Sequence, residues 1–264
     1  MITDDLPIAI CIKGIHKFVD SMNNTYLINK VNTGNYKEYY QFLSLTIIEP
    51  LNQKFGVDIY LSTYNSDEKD NIINMFKPKN YVFTEFNITD TTWKAQLKHF
   101  KNLINILKNS KKKYLFVLFT RFDFTSYINI LNYNINLDTF NFIYKHSGTN
   151  TNSDDNLIIV PFNQLLIFEK IIDHLIITNQ ITHSINVNYE KITGNKCNYL
   201  GCNHDMDIRQ NNDNLKYFKN ILFNMEPSPI NYPCSDDIIQ NFRNICFKRW
   251  KELNPNSKLE ILTN

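Results

Sequence analysis

Arg121 and Asp123 stand where the segment Tyr114-Leu-Phe-Val-Leu-Phe-Thr-Arg-Phe-Asp123 turns polar, after six apolar residues without a break. A short run with no polar alternation reads as a strand buried on both faces, as in a parallel sheet covered by helices. Ligands of open α/β sheets bind beyond the carboxyl ends of the strands. Thr120, Arg121 and Asp123 at such an end are placed to meet a phosphate or a metal ion, or to pair with each other and cap the next turn. Two other strand-like runs end in the same polar manner. Ile8-Ala-Ile-Cys-Ile12 gives way to Lys13-Gly14, with His16 and Lys17 beyond, and Val57-Asp-Ile-Tyr-Leu61 gives way to Ser62-Thr63-Tyr64. A nucleoside diphosphate needs cations or backbone N–H groups, and commonly a metal held by carboxylate oxygens. Lys13, Arg121 and Asp123 are of those types.

The remaining chemistry is more scattered. Asp154-Asp155 precede a buried run, Leu157-Ile-Ile-Val160, within a polar stretch that is also ordinary turn chemistry. His204-Asp-Met-Asp207 is a further cluster, whose default reading is a solvated loop. Cys197 and Cys202 precede His204, but not at a standard zinc spacing. His16 and His183 could donate to phosphate, or serve as surface or packing residues. No Gly-x-Gly-x-x-Gly follows the first strand and no Gly-Lys-Ser/Thr occurs, which disfavours a dinucleotide-binding enzyme and a P-loop ATPase.

The elements that must position these residues alternate through the first half. Apolar side chains recur at helical spacing from about 37 to 55, with a kink expected at Pro50 and Gly56 as the stop. Ser66 opens a short helix to Phe76, and 81–86 reads as a weaker strand. Trp93, Leu97, Phe100, Ile104 and Leu107 share one helix face, which is read as core, and Lys111-Lys112-Lys113 at its end suit the helix dipole. Further on, 140–145 reads as a strand, Pro161 opens a helix to about 177, and 186–214 is polar and poorly periodic. Two closing helices are expected at about 215–225 and 235–253, the second carrying a basic face with Trp250. Strand–helix alternation predicts an α/β protein with a mostly parallel central sheet flanked by helices.

The order of strand, helix, Val-Asp-Ile-Tyr-Leu-Ser-Thr strand and apolar strand ending in Arg-Phe-Asp resembles the nucleotide-sugar glycosyltransferases of GT-A fold. The likeness is greatest to those of giant viruses and of capsular-polysaccharide gene clusters, and it covers roughly residues 7–175. It implies one GT-A-like, Rossmann-like catalytic domain over 1–210, with a helical extension over 211–264 packed on it. It implies a nucleoside-diphosphate sugar as donor, UDP-linked for example, and a glycan or protein acceptor. Lys13, Gly14, Ser62, Thr63, Arg121 and Asp123 would then form the donor pocket. In that family an Asp-x-Asp triplet holds Mn²⁺ or Mg²⁺; here the matching triplet is Arg121-Phe122-Asp123, with Arg in the first carboxylate position. Asp123 could hold the metal alone or with His204, or Arg121 could take over part of its charge in a metal-independent enzyme. Asp154 or Asp155 is the expected catalytic base or acceptor-binding carboxylate. A nucleotidyltransferase, or a non-catalytic carbohydrate-binding module on the same fold, remains an alternative.

Bulk composition sets outer bounds. The chain has 264 residues, 43% of them hydrophobic, with 19 Phe and 15 Tyr, enough for a large core. A net charge of +2 argues against a dedicated nucleic-acid binder. No apolar run has the length of a membrane span. Five cysteines without paired spacing and an acidic start suggest a reduced, cytoplasmic setting, that of the host if the source is viral.

Overall fold

A computed structural model describes residues 6–14, 36–85, 92–122, 124, 129–143, 153 and 155–200. These residues build one seven-stranded sheet of order β3-β2-β1-β4-β6-β5-β7. The strands are β1 (Ile8–Gly14), β2 (Val57–Tyr64), β3 (Asn80–Thr84), β4 (Phe116–Arg121), β5 (Asn141–Phe142), β6 (Leu157–Pro161) and β7 (Asn198–Tyr199). Strands β1 to β4 are mutually parallel; β6 runs antiparallel to both β4 and β5, and β7 is parallel to β5. The expected α/β class with a mostly parallel sheet is what the chain adopts.

The helices are α1 (Tyr36–Leu43), α2 (Glu49–Phe55), α3 (Lys69–Phe76), α4 (Thr92–Ser110), α5 (Leu165–Thr178) and α6 (Ile185–Thr193). Between α1 and α2 the chain takes a π-helical turn over Ser44–Ile48, in which the Glu49 N–H bonds the Ser44 carbonyl. Pro50 has no N–H for the carbonyl four residues back, and the widened turn absorbs that defect without ending the helix. Gly56 then stops it at φ +77°, a conformation costly for any residue with a Cβ.

Both faces of the central strands are covered, which explains their unbroken apolar sequences. On one face Ile8, Ile10 and Ile12 pack with Leu43, Ile47, Leu51, Ile72 and Phe76. On the other, Ala9, Cys11 and Phe119 pack with Leu97, Phe100 and Ile104 of α4 and Phe168, Ile171 and Ile172 of α5. The chain leaves β1 towards β2 on one side, then returns from β3 through α4 to β4 on the other side of β1. The sheet order therefore reverses between β1 and β4; in open α/β sheets the crevice beyond the carboxyl ends at such a switch point is where ligands bind.

Five expectations need adjusting, the first being the helix expected from Ser66, which starts at Lys69 with Glu68 as its N-cap. The third strand is Asn80–Thr84 and the strand expected over 140–145 pairs only at Asn141–Phe142. Pro161 closes β6 instead of opening a helix; a 3-10 turn, Phe162–Gln164, leads into α5. Helix α6 occupies part of the stretch expected to be irregular. Its inward face is half polar: Asn186 and Asn188 are buried with Ile185 and Tyr189, which hides the helical period from a hydrophobicity reading. The closing helices expected over 215–253, and the 211–264 extension, lie outside the described residues.

Candidate active site at the β1–β4 crevice

Backbone register lines up the polar strand ends. Ser62 is the Cα partner of Lys13, and Lys13 is the Cα partner of Arg121. The Phe122 N–H extends this ladder to the Lys13 carbonyl at 3.2 Å. In-register neighbours of a parallel sheet project to the same face, here the face that carries Ala9, Cys11 and Phe119 under α4. On the next strand, Leu157 pairs with Thr120. One step further, Asn156 comes level with Arg121, and Asp155 follows at once.

Helix α4 supplies the lid of this row. Lys13 is fully buried; its Nζ donates to Gln96 Oε1 at 2.9 Å and lies 4.3 Å from the Phe100 ring centroid. Ser62 Oγ lies 2.9 Å from His99 Nδ1 and accepts from Asn102 Nδ2 at 3.2 Å. Arg121, by contrast, is only partly buried. Gly14 adopts φ +101°, and its carbonyl accepts from the Thr63 hydroxyl at 2.6 Å, so this bond joins the ends of β1 and β2.

Asp155 is only 2% exposed. Burial by itself pushes its carboxyl pKa up, but the charges of Lys13, His183 and Arg121, with the Thr182 hydroxyl, outweigh that and hold it well below the usual carboxylate range. The segment around it is latched to the turn before α6. The Ser153 N–H donates to the His183 carbonyl and to Asn186 Oδ1, each at 3.1 Å; His183 Nδ1 stands 2.9 Å from the Ser153 carbonyl; and Thr182 Oγ1 donates to Asp155 Oδ2 at 2.5 Å. Two buried hydroxyls here, Thr120 Oγ1 and Ser153 Oγ, have no hydrogen-bond partner among the described residues.

Of the expected site residues, the structure gathers Lys13, Arg121 and Asp155 into one electrostatic cluster. Gly14 and Thr63 lie one step further along the same strand ends, and Ser62 turns to His99 beneath α4. Asp123, Asp154 and His204 lie outside the described residues. Among the described residues no group of three His, Cys, Asp or Glu side chains could hold a metal ion. The charges of Lys13 and Arg121, with His183, beside a single carboxylate suit an anion. Gln96, His99 and Thr182 carry parts of the site that the sequence did not single out. A His and a Gln beside the apolar stripe of the strongest helix were the available signal, masked by the length of that stripe.

No family model and no curated protein matches the chain. Solved structures do resemble it. A protein assigned as a nucleotide-diphospho-sugar transferase from Desulfovibrio desulfuricans is 11% identical with a TM-score of 0.48, covering 92% of this chain and 97% of that one. The CTP:phosphocholine cytidylyltransferase of Streptococcus pneumoniae is 13% identical with a TM-score of 0.44, covering 80% and 97%. A glycosyltransferase involved in glycosylation of the major capsid of PBCV-1 is 9% identical with a TM-score of 0.36, covering 73% and 81%. At these values the likeness lends no weight to any residue, and the site stands on its own geometry.

Proposed function

We propose that the chain is a nucleotide-sugar-dependent glycosyltransferase that moves a sugar from a nucleoside-diphosphate donor to a glycan or protein acceptor. The observation that carries this reading is the Lys13–Arg121 pair at the sheet's switch point, side by side at the carboxyl ends of β1 and β4. Arg121 would bind the diphosphate directly by charge-assisted hydrogen bonds, and buried Lys13 would supply a fixed charge behind it. Both would stabilise the negative charge that grows on the leaving diphosphate. The Ser153 hydroxyl, buried and without a hydrogen-bond partner among the described residues, would be a further donor at this end of the sheet.

Asp155 suits positioning better than proton transfer. A carboxylate held well below its usual range is a weak base, and it balances the two cations that bind the donor. Asp154 is then the carboxylate proposed to take the acceptor proton. Asp123, with His204, is proposed to bring Mn²⁺ or Mg²⁺ to the diphosphate.

Nucleoside diphosphates and nucleotide sugars, with and without Mn²⁺, should raise the melting temperature of the chain, and Arg121→Ala should remove the rise. Product analysis separates the competing chemistry: glycosyl transfer releases a nucleoside diphosphate, nucleotidyl transfer releases pyrophosphate. Pyrophosphate as the product would overturn the proposal, and so would the absence of any nucleotide-induced stabilisation.

A further inference from the structure

A groove of about 480 Å³ lies between α4 and the carboxyl end of α5. Its walls include Trp93, Leu97 and Ile176, with Lys94, Lys98 and Asn179. Trp93 belongs to the apolar stripe of α4; it packs against the core from a half-buried position and also lines this groove. Lys94 and Lys98 are both exposed, and Lys94 Nζ stands 5.4 Å from the Trp93 ring centroid. Lys101, also on the groove, is already committed to Asp173 and Glu169. The cationic character left for a ligand therefore comes from Lys94 and Lys98.

The groove is connected to the strand-end site. Asn102 lines it while donating to Ser62 Oγ, and Ser62 is the register partner of Lys13. Gln96, which holds Lys13 Nζ, sits one helical turn from Trp93 on α4. A ligand in the groove would thus lie over the same helix that roofs the donor row.

We infer that this groove binds an acidic saccharide, the acceptor, with a sugar ring against Trp93 and its carboxylate or sulfate on Lys94 and Lys98. The chemistry is of three parts. An indole offers a broad apolar surface at low entropy cost, with an N–H at its edge. The amides of Asn102 and Asn179 can exchange hydrogen bonds with hydroxyl groups. Two exposed lysines favour a negatively charged ring over a neutral one. Sites with an apolar platform and a few polar groups are typical of small-ligand recognition. The inference rests on the transferase reading for the word acceptor, but the binding it describes is measurable alone.

The full-length chain carries two tryptophans, Trp93 and Trp250. In a Trp250→Phe background, fluorescence therefore reports Trp93. Titration with tetragalacturonate should quench or shift that signal saturably, while neutral galactotetraose should bind at least fivefold more weakly. Lys94→Gln with Lys98→Gln should abolish that preference, and Trp93→Ala should weaken tetragalacturonate binding at least tenfold in calorimetry. Circular dichroism and melting curves establish that each variant is folded; if Trp93→Ala is not, the lysine variant decides. Equal binding of the neutral and acidic sugars would overturn the inference. So would an unchanged preference in the lysine variant, or equal binding of hexaglutamate, which would mark the groove as a site for acidic peptides. UDP-induced stabilisation, read in parallel, tests the donor site separately: its absence with tetragalacturonate binding intact removes the transferase reading and leaves the saccharide site.

Discussion

The Thr182 hydroxyl donates to Asp155 across 2.5 Å, fastening to the turn before α6 a carboxylate that feels the charges of both Lys13 and Arg121. The bond thus holds a carboxylate next to β6 within the field of the cationic ends of β1 and β4. The consequences for stability and binding can be measured.

Removing the Asp155 charge should destabilise the fold. Asp155→Ala removes the buried carboxylate that the charges of Lys13, His183 and Arg121 keep ionised and with it the Thr182 hydrogen bond, a bond to a charged group of the kind worth about 1.5–3 kcal/mol. Denaturant melts at neutral pH would show the loss.

The pH dependence has a definite sign. The folded carboxyl pKa of Asp155 is depressed relative to an unfolded value of about 3.9. Its contribution to stability is thus fully present above that unfolded value, and it fades as pH falls towards the depressed folded one. Wild type and Asp155→Asn should therefore differ at pH 7 and converge in strong acid. A difference that grew on acidification would contradict the assignment.

Arg121 should account for much of the donor affinity. Hydrogen bonds to charged groups are worth about 1.5–3 kcal/mol, so Arg121→Ala should weaken UDP binding roughly 10- to 100-fold. Arg121→Lys should recover only part, because a point charge cannot reproduce the planar fork. Titration calorimetry with UDP measures both.

Gly14→Ala tests backbone geometry at the crevice. An added Cβ would meet nothing within 4 Å among the described residues, and its conformational cost comes from φ +101°. A residue held in such a region costs about 1–3 kcal/mol. The melting temperature should fall, and UDP binding should weaken if the Thr63–Gly14 bond shifts.

The helical face behind the site has its own anchor. The Phe168 ring packs against those of Phe100, Phe119 and Phe140, with centroids 4.8 to 5.7 Å apart. Phe168→Ala should cost about 3–5 kcal/mol. Comparison of its melting temperature with that of Arg121→Ala separates a core defect from a site defect: the arginine variant should unfold close to wild type.

Much of the fold was legible because the central strands are covered on both faces. Ile8–Ile12, Tyr114–Phe119 and Leu157–Val160 each show as an unbroken apolar run, Val57–Leu61 as one interrupted only by Asp58, and the stripe of α4 is equally plain. What escaped was structure with polar interiors. Asn186 and Asn188 turn inward and bond to neighbours, so α6 reads as irregular. The two residues of β5 are held by Asn136, Asn141 and Asn198 contacts that no periodicity signals. At the site, Lys13, Arg121 and Asp155 could be singled out from their places beside apolar runs. That Lys13 would be fully buried, with Gln96 as partner, could not, because it depends on the register of α4 over the sheet.

The most direct test is a crystal structure of the chain with UDP and Mn²⁺. The account predicts diphosphate density in the crevice between the carboxyl ends of β1 and β4, within hydrogen-bond distance of the Arg121 guanidinium. Diphosphate bound elsewhere, with Arg121 turned from it, would contradict the account.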